Sequence, residues 1–162
     1  GAELVMRDGP PVAVVINDRV HLVEAVGANG APVGQSDLGI TAARAILGPA
    51  AYLGLSVQTV EQVAAAVEAA EDGTLDYLGV GPVWRTTTKL DAAAPGGLEA
   101  LRQITAKSPW PCVAIGGVTV ERLREVHEAG AAGAAVVSAI CGQPDVAAAT
   151  RALRVAWDEA SR

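Results

Sequence analysis

Short apolar runs alternate along the chain with longer segments whose apolar positions recur at helical spacing. A run of about four to eight apolar residues is typical of a buried strand, and helical spacing is typical of an amphipathic helix. The predicted strands are Leu4–Met6, Val12–Ile16, Ala31–Gly34, Tyr52–Val57, Leu75–Gly81, Cys112–Ile115 and Ala134–Ile140. The predicted helices are Val20–Ala28, Ile40–Leu47, Val60–Ala70, Leu98–Lys107, Val120–Ala129 and Val146–Ala160.

This alternation of strands and helices predicts parallel βαβ units. The chain carries no dinucleotide-binding fingerprint, so we expect a (β/α)8 TIM barrel rather than an open doubly wound sheet, with a flavodoxin-like sheet as the alternative. A length of 162 residues predicts one domain, residues 1–162, with a single core.

Two features of the N-terminal part do not fit a complete barrel. Such barrels usually have at least ~200 residues. Only a few residues separate Asp8 from Val12, whereas a parallel crossover needs about a dozen. Our hypothesis is that the first strand and helix, and a helix near Gly9–Pro10, are missing from the sequence.

Composition and charge narrow the class of protein. With 51% hydrophobic and 19% charged residues, the chain is expected to be globular. A net charge of −6 without a basic stripe argues against nucleic acid as a partner, and no apolar run is long enough to span a membrane. We therefore expect a cytoplasmic protein that acts on small molecules. The sequence does not determine the oligomeric state, and a homo-oligomer is one of the open alternatives. Cys112 and Cys141 do not have the spacing of a metal site, so we expect two reduced thiols.

The segment Gly79–Lys89 is the first candidate for chemistry. It leads from a predicted strand into a loop with three threonines, an arginine and a lysine. Hydroxyl donors beside a cation suit a phosphate, although threonine also simply fills extended backbone. In a barrel the active site lies at the carboxyl ends of the strands, where this loop begins.

Two later strand ends strengthen the expectation of a phosphate site. Gly116 and Gly117 would let backbone N–H groups approach an anion, or would simply allow a tight turn from strand to helix. Val137 and Ser138 occupy the next strand end. In TIM barrels, loops after the last two strands often bind phosphate, which favours the anion interpretation.

Asp18 and Asp37 each follow a predicted strand. A single Asp at such a position commonly caps a helix. As a pair in neighbouring loops, the two carboxylates could instead share Mg²⁺, which binds through one or two carboxylates plus substrate phosphate oxygens. The sequence leaves these two interpretations evenly balanced.

Six motifs in order resemble the thiamine-phosphate synthase family, which has a (β/α)8 fold. They are Val15–Val20, Gly34–Asp37, Gly54–Val57, Gly79–Lys89, Ala114–Val118 and Val136–Ile140. The resemblance implies a transferase that joins a pyrimidinylmethyl diphosphate to a thiazole phosphate and releases pyrophosphate by a dissociative route. It implies Mg²⁺ on Asp18 and Asp37, and donors to the leaving group from Arg7, Asn17, Ser56 and Lys89. The thiazole phosphate would be held by Thr86, Thr88, Gly117, Val137 and Ser138.

The chain departs from the family pattern on the pyrimidine side. The family usually has Gln, Lys and His where this chain has Val5, Gly9 and Pro32. One alternative is the related thiazole tautomerase, whose chemistry needs a general base, usually His. Gln58 stands where that base would be expected, and an amide does not titrate. A non-catalytic barrel that binds a phosphorylated ligand is the second alternative.

Overall fold

The computed structural model describes residues 12–86, 88 and 93–162. It contains a sheet of five strands, which are β1 (Gly30–Val33), β2 (Tyr52–Val57), β3 (Tyr77–Val80), β4 (Cys112–Ile115) and β5 (Gly133–Ala135). The α-helices are α1 (Val23–Val26), α2 (Ile40–Leu47), α3 (Val60–Ala69), α4 (Gly97–Lys107), α5 (Leu123–Glu128) and α6 (Val146–Ala160). Two 3-10 turns, Val20–Leu22 and Val120–Arg122, lead directly into α1 and α5.

All strand pairs are parallel, and the strands lie in the sheet in chain order, β1-β2-β3-β4-β5. Parallel crossovers have one hand, so a sheet in chain order has its helices on one face, as in a (β/α) barrel. A flavodoxin-like sheet would reverse direction within the strand order. The structure therefore confirms the barrel-like α/β class and excludes the open-sheet alternative for the described strands.

The two faces of the sheet carry different residues. On β2, Leu53, Leu55 and Val57 are buried, while the alternating positions Tyr52 and Ser56 are exposed. The buried side chains belong to one hydrophobic cluster that also includes helix residues. Because successive side chains on a strand alternate between faces, the helices cover one face and leave the other for the site.

The predicted strand Val12–Ile16 forms only in part. Val15 makes an isolated parallel bridge to Gly30, and the Ile16 N–H donates to the Gly30 carbonyl at 2.9 Å. The adjoining residues continue this pairing, since the Asn29 N–H donates to the Val14 carbonyl at 2.7 Å. The segment thus runs beside β1 on the edge opposite β2, which is where a preceding barrel strand belongs.

The end of the last predicted strand was wrong. β5 stops at Ala135, and the N–H groups of Ile140 and Cys141 both donate to the Val137 carbonyl at 3.0 and 2.7 Å. Residues 137–141 therefore form a turn rather than a strand. Apolar β-branched residues gave this segment the composition of a strand. In the described sheet, however, residues 137–141 pair with no neighbouring strand.

Two threonines that precede helical segments differ in their hydrogen bonds. Thr59 forms a capping box with Gln62 at the start of α3. Thr119 makes no side-chain cap bond, and its hydroxyl donates to the Glu121 carboxylate at 2.6 Å. The predicted strand Leu4–Met6 and the proposed gap at Gly9–Pro10 lie outside the described residues. None of the helices in the described part of the chain has the length and apolar character needed to cross a bilayer.

Candidate active site

A cavity of about 620 Å³ lies at the carboxyl ends of β2 to β5. It is the place where a (β/α) barrel carries its active site. Its described lining combines hydroxyl groups, an amide pair, one carboxylate and glycine backbone. The lining residues are Asn17, Asp18, Ser56, Gln58, Gly79, Gly81, Pro82, Thr86, Thr88, Ala93, Ile115, Gly116, Gly117, Val118, Ala135, Val136, Val137 and Ser138.

Eight of the predicted site residues are therefore brought together. They come from regions far apart in the chain, and the parallel pairing of the strands is what gathers their carboxyl ends on one side. The eight are Asn17, Asp18, Ser56, Thr86, Thr88, Gly117, Val137 and Ser138.

Asn17 and Asp18 reach the cavity through the pairing of their segment with β1. The Asp18 N–H donates to the Pro32 carbonyl at 2.9 Å, which continues the ladder begun at Val15. Asp18 has φ 61°, a left-handed conformation that costs a non-glycine residue about 1–2 kcal/mol. Asp and Asn tolerate this conformation better than most residues, and such strain is often found at functional sites. Asp18 thus combines a backbone bond to β1, a left-handed conformation and a place in the cavity lining.

Ser56 enters the cavity from the uncovered face of β2. It pairs in register with Gly79 of β3, and a Cβ added at Gly79 would lie 4.0 Å from the Ser56 Oγ. The Ser56 carbonyl accepts a hydrogen bond of 2.7 Å from the Gln35 side-chain amide. This bond ties the loop after β1 to β2 at a residue that lines the cavity.

Glycines let the loop after β3 pack directly on the loop after β4. Gly116 has φ 94° and Gly117 has φ 66°, both in the left-handed region that favours glycine. A Cβ at Gly117 would lie 2.8 Å from the Trp84 Cβ. The N–H groups of Val83 and Trp84 donate to the carbonyls of Ile115 and Gly116 at 2.9 and 3.0 Å. Close packing of these loops therefore requires glycine at position 117, whether or not an anion binds there.

The threonine loop and the turn after β5 supply the remaining polar groups. The Thr88 N–H donates to the Thr86 hydroxyl oxygen at 3.2 Å, so these two lining residues are hydrogen-bonded to each other. The Ser138 carbonyl accepts a hydrogen bond of 2.9 Å from the Gln143 side chain. Ser138 is an exposed residue of the cavity lining.

Asp37 is placed differently from Asp18. One of its carboxylate oxygens accepts a hydrogen bond of 2.8 Å from the Gly34 N–H, and Asp37 is not among the described residues that line the cavity. Asp37 therefore does not cap α2, whose N-cap is Gly39 without a side-chain cap bond, and the Gly34 bond engages one of its two carboxylate oxygens. Among the described residues, no group of three or more His, Cys, Asp or Glu side chains could hold a metal ion.

Asp18 is the one charged residue in the described lining. Arg7 and Lys89, the two predicted cations, lie outside the described residues.

Sequence reasoning missed several lining residues. Gly79 and Gly81 contribute cavity space rather than donors, and Ile115 contributes an apolar wall. Gln58 lines the cavity two residues beyond Ser56, and the parity of the strand could have placed it there. Glycines at positions 79 and 81, on the cavity side of the strand and its end, were the sequence signal for the space of the cavity.

Comparisons with known proteins agree with this arrangement. The model of the thiamine monophosphate synthase family matches residues 4–140. A thiamine-phosphate synthase of Albidiferax ferrireducens is 47% identical over 143 residues, which are 88% of this chain and 64% of that protein. A thiamine-phosphate synthase of Azorhizobium caulinodans is 44% identical over 151 residues, which are 93% of this chain and 69% of that protein.

The structural comparison gives the same family. The solved structure of thiamine phosphate pyrophosphorylase from Pyrococcus furiosus is 38% identical, with a TM-score of 0.80 over 92% of this chain and 69% of that chain. This chain thus spans about two thirds of the length of these relatives. Since the family match extends over most of the sequence and the cavity lies at the expected end of the sheet, the chain belongs to the thiamine monophosphate synthase family.

Proposed function

We propose that the protein is a thiamine-phosphate synthase, which couples the diphosphate of 4-amino-2-methyl-5-hydroxymethylpyrimidine to thiazole phosphate. The products are thiamine phosphate and pyrophosphate. The observation that supports this best is the cavity of about 620 Å³, in which eight residues predicted for that reaction lie together. A pocket of this size is in the range that binds small ligands.

The thiazole phosphate is assigned to the side of the cavity formed by β3, β4 and β5. Hydroxyls of Thr86, Thr88 and Ser138, with backbone at Gly117 and Val137, suit a phosphate because each offers a short hydrogen-bond donor. Anchoring the phosphate fixes the position of the thiazole ring, and so aims its nitrogen at the reacting carbon.

The diphosphate is assigned to the opposite side of the cavity, near Asn17, Asp18 and Ser56. The Asn17 amide and the Ser56 hydroxyl would donate to the leaving oxygens. Arg7 and Lys89 are proposed to add positive charge on this side, as the sequence resemblance implies. Donors fixed in place before reaction stabilise the charge that develops on a leaving group.

Mg²⁺ is proposed as the cofactor, held by the carboxylates of Asp18 and Asp37. The donor set fits this ion, since both ligands are hard carboxylate oxygens and the diphosphate itself would supply more. The two residues belong to neighbouring segments, because Asp18 pairs with Pro32 of β1 and Asp37 follows β1. When bound, Mg²⁺ would offset the negative charge of the departing pyrophosphate.

The reaction needs no nucleophilic side chain. The bond between the pyrimidinylmethyl carbon and the diphosphate oxygen breaks, and its electron pair leaves with pyrophosphate. The lone pair of the thiazole nitrogen then forms the new carbon–nitrogen bond to the resulting cation. The task of the protein is to hold both substrates in line and to keep water from the cation.

A pyrophosphate-release assay with both substrates and Mg²⁺ tests this proposal. The informative variant is Asp18→Asn, because Asn also tolerates the left-handed backbone at φ 61° and removes only the charge. We expect release from the wild type that depends on Mg²⁺ and on thiazole phosphate, and a loss of about 100-fold or more in the variant. Binding of thiazole phosphate without turnover would instead identify a non-catalytic ligand-binding barrel.

A tautomerase is disfavoured by the residue at position 58. Gln58 lines the cavity where a titrating base would be required, and an amide cannot remove a proton at neutral pH.

A further inference from the structure

Arg122 joins the two loops that carry the proposed phosphate donors. Its Nη1 donates to the Gly117 carbonyl at 2.5 Å, and its guanidinium carbon lies 4.6 Å from the centroid of the Trp84 ring. Trp84 belongs to the loop after β3, and Gly117 to the loop after β4. A single partly buried side chain therefore contacts both loops at once.

The contacts of Arg122 reach the cavity through its neighbours. Gly117 itself lines the cavity, and Trp84 lies two residues before Thr86, which also lines it. Arg122 is not among the described lining residues. Its effect on a ligand must pass through the position of these loops.

The bond from Arg122 to the Gly117 carbonyl orients the N–H group of Val118. In a trans peptide the C=O and N–H groups point in opposite directions. When Arg122 holds the Gly117 carbonyl, the N–H of Val118 in the same peptide is turned to the opposite side. Val118 is a cavity-lining residue. The positive charge of the Arg122 guanidinium beside the carbonyl oxygen also polarises this peptide and strengthens its N–H as a hydrogen-bond donor.

Stacking on Trp84 fixes the guanidinium itself. A planar guanidinium both stacks on an aromatic face and donates in its own plane, which an ammonium group cannot do. The Trp84 ring and the Gly117 carbonyl thus contact the same guanidinium, and together they restrict its position. Backbone bonding alone, such as Trp84 N–H to the Gly116 carbonyl at 3.0 Å, links the loops but brings no charge.

We propose that Arg122 is a positioning residue for the phosphate-binding side of the cavity, acting through the Gly117–Val118 peptide and Trp84. The inference rests on the proposed function for the identity of the phosphorylated ligand. It assigns no contact between Arg122 and the substrate. Arg122 is expected to affect the substrate held by the loops after β3 and β4, and not the diphosphate on the other side.

Steady-state kinetics of Arg122→Gln and Arg122→Lys test the proposal. We expect Arg122→Gln to raise the KM for thiazole phosphate about tenfold or more, the effect of losing one charge-assisted hydrogen bond. The KM for the pyrimidine diphosphate should stay unchanged. Arg122→Lys, which keeps the charge but not the stacking plane, should recover part of the loss. Arg154→Gln is the control, because it removes the same charge from an exposed pair on α6.

Titration calorimetry with thiazole phosphate and with inorganic phosphate separates this proposal from the proposed function. A wild type without turnover that still binds these probes, with weaker binding to Arg122→Gln, would sustain the role of Arg122 while the synthase assignment falls. A wild type that turns over, with both KM values unchanged in Arg122→Gln, would overturn the role. Equal changes in both KM values that track a lower thermal midpoint would also overturn it, as would a wild type that binds neither probe.

Discussion

Ser56 and Gly79 lie opposite each other in the parallel pairing of β2 and β3, at the wall of the cavity. A Cβ built on Gly79 would be 4.0 Å from the Ser56 Oγ, which is an ordinary van der Waals contact. The fold therefore has room for a methyl group at this position, but that methyl group would occupy space offered to a ligand.

Gly79→Ala is expected to fold with unchanged stability and to bind substrate poorly. Unfolding in urea should give a midpoint close to that of the wild type, and the KM for at least one substrate should rise about tenfold. Gly54→Ala is the contrasting variant, because its Cβ would lie 2.3 Å from an atom of the Tyr77 ring, so that ring must move from its position beside Gly54. Loss of stability in Gly79→Ala would show that the glycine serves packing instead.

Asp37 should have two separable roles, one in its turn and one in metal dependence. Asp37→Ala removes the acceptor of the Gly34 N–H and is expected to destabilise the fold by about 1 kcal/mol. Asp37→Asn keeps an oxygen acceptor for that N–H, so its thermal midpoint should resemble the wild type. If Asp37 also holds Mg²⁺, pyrophosphate release by Asp37→Asn should require much more Mg²⁺. Unchanged metal dependence in that variant would restrict Asp37 to its turn.

The Arg44–Asp76 pair should contribute more to stability than a surface ion pair of the same length. The Asp76 carboxylate accepts hydrogen bonds of 2.7 Å from both Arg44 and the buried N–H of Leu53. Asp76→Ala leaves that N–H without this acceptor, so we expect a loss of about 1–3 kcal/mol in the free energy of unfolding.

Asp158→Ala is the matched control for Asp76→Ala. The two aspartates have similar side-chain exposure, 40% and 42%, and each lies 2.7 Å from its arginine. The Arg154–Asp158 pair lies on the surface of one helix, so its loss should cost about 0.5 kcal/mol or less in chemical denaturation. Similar losses in both variants would contradict the importance assigned to the Leu53 N–H.

Tyr77 should make stability fall with rising pH in the alkaline range. Burial raises the pKa of the Tyr77 phenol above its ordinary value of 10.0, and the charge of Asp76 adds to the effect. The Tyr77 phenol therefore keeps its proton to a higher pH in the folded chain than in the unfolded chain. The resulting stabilisation is complete below the ordinary pKa of 10.0 and is lost as pH rises from there through the folded pKa.

Tyr77→Phe is the variant that isolates this effect. Between about pH 8 and about pH 10.5, the free energy of unfolding of the wild type should fall more steeply than that of Tyr77→Phe. Urea denaturation at both pH values measures the two slopes. Parallel slopes would mean that the Tyr77 phenol titrates alike in the folded and unfolded chains.

The sequence was sufficient for the order of strands and helices because apolar periodicity is a local property. It was also sufficient for eight of the eighteen described lining residues, since polar residues at strand ends such as Asn17, Ser56 and Ser138 converge once the strands are parallel. The end of β5 was misplaced because Val136 and Val137 have strand-like composition, whereas tertiary pairing sets where a strand stops.

Contacts between distant side chains could not be predicted. Trp84 and Arg122 lie 38 positions apart in sequence, and Arg44 and Asp76 lie 32 apart, so no local pattern marks either pair. Gly117 lines the cavity, but the need for glycine against Trp84 depends on how two loops pack. Such close approaches are visible only in three dimensions.

The most direct test of the central claim is a crystal structure of this chain with thiazole phosphate bound. We expect the phosphate within hydrogen-bond distance of the Thr86–Thr88 loop, Gly117 and Ser138, at the carboxyl ends of the strands. A phosphate found instead in the second large cavity, about 750 Å³ and lined by Glu24, Asn29 and Asp76 among others, would contradict the claim. A cavity that stays empty at saturating ligand would contradict it equally.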